Sequence, residues 1–179
     1  MHSNRLLLLP LALILVLLSA DARQIKNTSQ STKHHAATAD EVGRQYCEFD
    51  FKVGRISSEN AEQMPPLTTW EDEPGWDGLT VVSGYQIVST KVSQGRAVVS
   101  VRWQVIGDFS GEGVVARQKE ELVEYHLKLV GALWKIDSPV ICPHVSAVTL
   151  RAFVLSNFPD DPDRQKLVRE LDRLSEQRR

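Results

Sequence analysis

The chain changes its hydrophobic rhythm several times. Leu6 to Leu18 is an apolar run with one proline and no charge. From Ala39 onward, Val42, Tyr46, Phe49 and Val53 recur at helical spacing. Thr38 or Asp40 can serve as the N-cap and Gly54 suits the stop. Ser57 or Ser58, with Glu62 downstream, caps a second short helix that Pro65 and Pro66 must end. Leu67 to Gly78 reads as a loop with a turn signal at Pro74 and Gly75.

Beyond that loop the period falls to two. Gly84 to Val92 forms a first long strand, and Ser93, Gln94 and Gly95 a hairpin turn. Ala97, Val99, Val101, Trp103 and Val105 then face one way, with Arg96, Ser100, Arg102 and Gln104 facing the other. That alternation marks a half-buried antiparallel strand. Gly107 to Gly113 reads as a glycine-rich loop. Arg117 to Val130 alternates again, with Val123, Tyr125, Leu127 and Leu129 opposed to Glu124, His126 and Lys128. Gly131 turns the chain into a last strand carrying Ala132, Trp134 and Ile136. Pro139 and Pro143 bracket Cys142 and end regular pairing. Ser146 caps a helix running to about Asn157, with Val148, Ala152 and Leu155 as its apolar stripe. Asp161 as N-cap and Pro162 at the first helical position open a final helix. Leu167, Val168, Leu171 and Leu174 give that helix a narrow apolar face.

The N-terminus changes the picture most. Arg5, the apolar run, and the small residues Ala20 and Ala22 form the three parts of a signal peptide, cut after Ala22. The run is about 13 residues long, too short at 1.5 Å each to span a ~30 Å hydrocarbon core comfortably. An uncleaved leader is the one route to a membrane. The mature chain is thus expected outside the cytoplasm, in a periplasm or secreted. Residues 23–38 form a polar, disordered lead-in that contains the sequon Asn27-Thr28-Ser29. Residues 39–158 form one domain, and 159–179 a C-terminal amphipathic helix.

The formal net charge of −2 in 179 residues gives no bulk attraction to nucleic acid. Cys47 and Cys142 form a disulfide candidate in an oxidising compartment, or are two free buried thiols. There is no C-x-x-C and the five histidines are scattered, which disfavours zinc, and the Trp70–Asp77 carboxylates that could suit a hard cation such as Ca²⁺ lack EF-hand spacing, so no metal is expected. Neither a P-loop nor a Gly-x-Ser-x-Gly motif is present, and no cofactor is expected. The densest group of polar chemistry is Trp70-Glu71-Asp72-Glu73-Pro74-Gly75-Trp76-Asp77. Trp70 and Trp76 with Glu71, Asp72 and Asp77 suit a sugar face or a cationic ligand, or form a solvated acidic loop whose tryptophans cap the core.

Helices first, then long antiparallel strands ending in Gly131-Ala132-Leu133-Trp134-Lys135-Ile136-Asp137, resembles the nuclear transport factor 2-like superfamily. The matching stretches are Ala39–Ile56, Val98–Val105 and Val123–Asp137, and the segment Leu67–Asp77 looks like an exported branch of that superfamily. The resemblance implies an α+β fold: a curved antiparallel sheet of about four strands packed on N-terminal helices, here with extra C-terminal helices. It also implies a cavity on the concave face, for which Tyr85, Trp103, Tyr125 and Trp134 are lining candidates. Superfamily members include isomerases, dehydratases, hydrolases and non-catalytic modules, so the fold does not choose a reaction. Asp50 and Tyr125 could imitate the carboxylate and hydroxyl of the isomerases, or be a surface Asp and a core aromatic. His126 is expected to face solvent, and His144 to cap a helix or line a pocket mouth. The expected function is an exported, non-catalytic module binding a small apolar ligand or a protein partner. The alternatives are a small isomerase- or hydrolase-type enzyme, and a domain that assembles as a homodimer.

Overall fold

The computed structural model of this chain describes residues 37–159 and 162–176. The leader, the lead-in up to residue 36, its sequon and the Asp161 cap lie outside them.

Thr38 opens helix α1 (Ala39–Phe51) with a capping box. Its hydroxyl accepts from the Glu41 N–H at 3.2 Å, and the Glu41 carboxylate accepts the Thr38 N–H at 2.6 Å. Two of the helix's orphan donors are thereby satisfied. Ala39, Val42, Gly43, Tyr46, Cys47 and Asp50 form its buried face. Gly43 is where α1 approaches the sheet most closely: a Cβ there would lie 2.8 Å from Val99 Cγ1. The helix stops at Phe51, short of Gly54, and Val53 takes a left-handed φ of 68°. That conformation is costly for a β-branched residue, and Val53 is buried as it adopts it. A 3-10 turn follows over Ser58–Gln63.

Five strands form one curled, mixed sheet: β1 (Gly78–Ser93), β2 (Arg96–Ser110), β3 (Gly113–Val130), β4 (Leu133–Ser138) and β5 (His144–Ser146). Their order is β4-β3-β2-β1-β5. The first four pair antiparallel, while β5 joins the free edge of β1 in parallel. The expected curved antiparallel sheet of about four strands is thus present, with the short parallel β5 added to it. β1 begins at Gly78, six residues before the expected start, and Gly107 lies inside β2, not in a loop. A side chain at Gly107 would strike the Val115 carbonyl at 2.7 Å, so that glycine serves strand packing. The β1–β2 turn has Gln94 and Gly95 both at positive φ, as a two-residue hairpin of right-handed twist requires.

Bulges explain the broken alternation. The β1–β2 register shifts around Val82 and the β2–β3 register between Val105 and Gly107. Consecutive residues Val81 and Val82 are both fully buried, as are Val105 and Ile106. In each pair one residue enters one hydrophobic cluster and its neighbour enters the other. The first cluster lies between α1 and the sheet, around Tyr46, Val99, Trp103, Tyr125, Leu127 and Ile136. The second gathers Leu79, Val81, Ile106 and Val145 with helices α2 (Ala147–Asn157) and α3 (Arg164–Glu176).

Ser146 caps α2 as expected, its hydroxyl accepting the Thr149 N–H at 3.0 Å. The buried stripe of α2 is Ala147, Leu150 and Val154, however, and Val148 is 72% exposed. α3 buries Val168, Leu171 and Leu174 in that same second cluster. The C-terminal helix is therefore part of one domain core and not an appendage to residues 39–158.

Residues 139–143 carry the chain from β4 at one edge of the sheet to β5 at the other. The Pro143 carbonyl accepts the Thr80 N–H at 2.8 Å, and Cys142 Sγ lies 3.4 Å from Thr80 Oγ1. Cys47 sits buried on α1, and both thiols are free. The disulfide offered as one reading of the pair is absent from this structure.

Candidate functional site

α1 places Tyr46 and Asp50 one turn apart on its inner face, both with no exposed surface. The left-handed turn at Val53 and the stacking of Gly54 against Phe49 bring Arg55 back beneath the helix. The Arg55 side chain is wholly buried. Its Nε donates to Glu73 Oε1 at 3.1 Å and its Nη2 to Glu73 Oε2 at 2.8 Å. Nη2 also donates to the Ile141 carbonyl at 2.7 Å, and Nη1 reaches Asp50 Oδ2 at 3.5 Å. The guanidinium lies over the Tyr46 ring at 5.6 Å and the Trp76 ring at 5.4 Å. One arginine thus ties α1, the 67–77 loop and the 139–143 crossover together.

Glu73 is the hub of the tryptophan-rich loop. It accepts Trp70 Nε1 at 3.2 Å and Trp76 Nε1 at 2.9 Å, in addition to Arg55. Burial works against its charge, but the guanidinium and the two indoles hold its carboxyl below the ordinary value. Trp70 packs edge-on against Tyr46 with ring centroids 6.4 Å apart. The indoles expected to greet a ligand are instead directed inward at Glu73. Glu71, Asp72 and Asp77 are exposed. Thr69 begins the loop by donating its N–H to the Ile136 carbonyl at 2.9 Å.

Asp50 is not a surface residue. Its Oδ2 accepts the His144 backbone N–H at 3.0 Å, and Oδ1 has no partner. Burial pushes its pKa up to about 7, against the opposing pull of Arg55. His144 is also buried, stacked on Trp103 at 4.7 Å and 27°. Burial drives its pKa down to about 4, with Glu121 pulling the other way. Nδ1 lies 3.9 Å from Asp50 Oδ2, too far for a hydrogen bond, and among the described residues neither ring nitrogen makes a hydrogen bond of good geometry, although the Cys142 backbone is near enough to favour the protonated ring. Among the described residues the Tyr46 hydroxyl has no partner, and the Tyr125 hydroxyl and Trp103 Nε1 approach each other without good hydrogen-bond geometry; burial raises both tyrosine pKa values, with Trp103 easing that of Tyr125. Tyr46 and Tyr125 touch edge-on at 5.2 Å. Asp50 and Tyr125 are thus in one cluster, but no hydrogen bond joins them.

Tyr85 and Trp134 are the lining candidates that keep some exposure, while Trp103 and Tyr125 have none. Tyr85 stacks obliquely on Trp103 at 5.1 Å and donates to Glu48 Oε2 at 2.9 Å. It forms one wall of an open cleft of about 1000 Å³, with Phe49 and Leu67 as apolar floor and Arg44, Glu48 and Lys52 on the rim. A smaller pocket of about 460 Å³ lies between the start of α2 and the end of α3, against Phe51 and Ile106. His126 is exposed on β3, as expected. Among the described residues, no group of three His, Cys, Asp or Glu could hold a metal ion, and no helix is long and apolar enough to cross a membrane.

The spacing pattern pointed to Asp50 and Tyr125 but missed Arg55, which organises the cluster. The available signal was a lone arginine between Val53 and Ile56, just past a helix-stopping glycine. No protein-family model, curated protein or solved structure matches the chain.

Proposed function

We propose that this chain is an exported, non-catalytic binding module of nuclear transport factor 2-like architecture. Its occupied face is the open cleft between α1, the Pro66–Leu67 segment and Tyr85. The observation that carries this reading is the filling of the cone. Tyr46, Asp50, Trp103 and Tyr125 have no exposed surface, so a substrate has no path to the carboxylate and hydroxyl that an isomerase would use. From Trp70 to Trp76 the loop is engaged internally through Glu73 and braces the cleft, to whose floor its first residue, Leu67, belongs. The cleft itself has an apolar floor and a charged rim, the usual anatomy of a recognition surface.

The test is native mass spectrometry of the chain purified from its own host. A co-purifying apolar ligand or protein partner is expected, lost in a Tyr85→Ala, Leu67→Arg variant and retained in Tyr125→Phe. Exported protein should begin at Arg23. A bare chain in every preparation sinks the reading.

A second reading keeps an enzyme in play. Asp50, with a pKa near 7 and one unpartnered oxygen, stands among tyrosine, tryptophan and histidine groups that make no hydrogen bond of good geometry among the described residues. Such clusters gather at catalytic sites. Release of a chemically altered ligand, abolished by Asp50→Asn, would favour it over the binding module.

A further inference from the structure

β3 is longer than the strand that covers it. Among the described residues, pairing with β4 spans His126–Val130, and from Gly113 to Tyr125 the ladder of β3 runs to β2 alone. The first N–H of this stretch, that of Val114, is taken by Glu170 of α3 at 3.4 Å. Beyond it, Val115 to Glu120 are all exposed. A long edge of this kind offers unpaired backbone groups to any passing strand.

The charges on this edge are ordered. Arg117 and Lys119 come first, followed by Glu120, Glu121 and Glu124. Within one chain Lys119 Nζ lies 2.5 Å from Glu121, and Arg102 lies 3.7 Å from Glu120. The edge of β1 beyond Val82, which β5 leaves uncovered among the described residues, carries only Lys91 as a charge and has no such polarity.

We propose that the β3 edge pairs with the β3 edge of a second copy of this chain, antiparallel, about a two-fold axis through Glu120. A two-fold brings the basic half of one edge against the acidic half of the other. Centring it on Glu120 sets Lys119 opposite Glu121 of the second copy, twice, and keeps every residue on its own face of the sheet. The two Glu120 side chains meet at the axis, each beside its own Arg102. The same charges discourage in-register parallel pairing, which would set Lys119 beside Lys119 and Glu121 beside Glu121. This surface is independent of the cleft assigned above.

Light scattering behind size exclusion, on full-length mature protein at tens of micromolar, should give twice the chain mass. Lys119→Glu should weaken the dimer about tenfold or more, because two attractive contacts become repulsive. The charge swap K119E/E121K should restore it, with circular dichroism confirming that each variant is folded. Register is read independently in a Cys142→Ser background. Glu120→Cys should form a covalent dimer on mild oxidation, since directly opposed Cβ atoms lie ~4.5–5.5 Å apart, within reach of a disulfide after small adjustment. Glu124→Cys should not. A wild-type monomer at 200 micromolar, or cross-linking of Glu124→Cys as readily as Glu120→Cys, overturns the proposal.

Discussion

Arg55 and Glu73 meet fork to fork, at 3.1 and 2.8 Å, inside a shell of three aromatic rings contributed by Tyr46, Trp70 and Trp76. Such two-point contacts are strong because both partners are charged and the geometry is fixed. Removing Glu73 leaves Arg55 with the longer contact to Asp50 at 3.5 Å and takes the acceptor from the Trp70 and Trp76 indoles. Glu73→Ala should therefore lower stability by about 3 kcal/mol, the low end for a broken buried pair, since Glu73 keeps some solvent contact. Urea titration checks this, with a red-shifted tryptophan emission as Trp70 and Trp76 loosen. A loss below about 0.5 kcal/mol would place the loop among ordinary surface segments.

The Asp50 and His144 shifts act on stability with opposite signs. Asp50 has a folded pKa raised to about 7, so its contribution is full below about pH 4 and is lost as pH rises toward 7. His144 has a folded pKa lowered to about 4, so its contribution is present above about pH 6.5 and is lost as pH falls toward 4. Glu121, Arg55 and Lys119 also act on His144 in this window. Between pH 4.5 and 6.5 the two slopes should nearly cancel. Asp50→Asn should expose the histidine alone, with stability rising as pH rises. His144→Asn should expose the carboxyl, with stability falling instead. Each slope approaches about 1.4 kcal/mol per pH unit. Denaturant midpoints across that range provide the measurement; parallel profiles for the two variants would refute the assignment.

Among the described residues the buried Tyr125 hydroxyl makes no hydrogen bond of good geometry. A group of that kind opposes folding, because its water is lost and not replaced. Tyr125→Phe should be neutral or raise stability by up to about 1 kcal/mol, seen as an unchanged or higher melting temperature. A marked loss would reveal a hydrogen bond that the hydroxyl makes in solution.

The two free thiols differ in exposure. Native alkylation should label half-buried Cys142 slowly and spare Cys47, whose thiol burial also holds in its protonated form. Unfolding without reductant should release the second label. Protein from an oxidising compartment that takes no label when unfolded would show that the pair can bond after all.

Periodicity revealed what repeats. α1, its Thr38 cap, the alternating faces of β2 and β3, the positive-φ hairpin at Gly95 and the Ser146 cap were all legible because each obeys a local rule. What escaped was non-local. β5 is three residues long and takes its strand character only from lying beside Thr80–Val82. The bulges bury adjacent residues such as Val81 and Val82, which an alternating template scores as an error. The stripe of α2 was misjudged because its apolar residues run nearly all round, and only the neighbours decide which side is covered. At the candidate site, Asp50 and Tyr125 were visible as types. Arg55 and the inward turn of Trp70 and Trp76 were not, because both depend on Glu73, which lies in a different segment.

The parallel seam between β1 and β5 has a consequence for biogenesis. The edge strand laid down first cannot be covered until the ribosome has finished Ser146, and α2 has no seat before then. The domain is thus expected to complete its sheet last at the seam, at a pace set by closing a long loop and not by any local turn. An emerging chain would present that bare edge throughout synthesis, at the stage when escorting factors act.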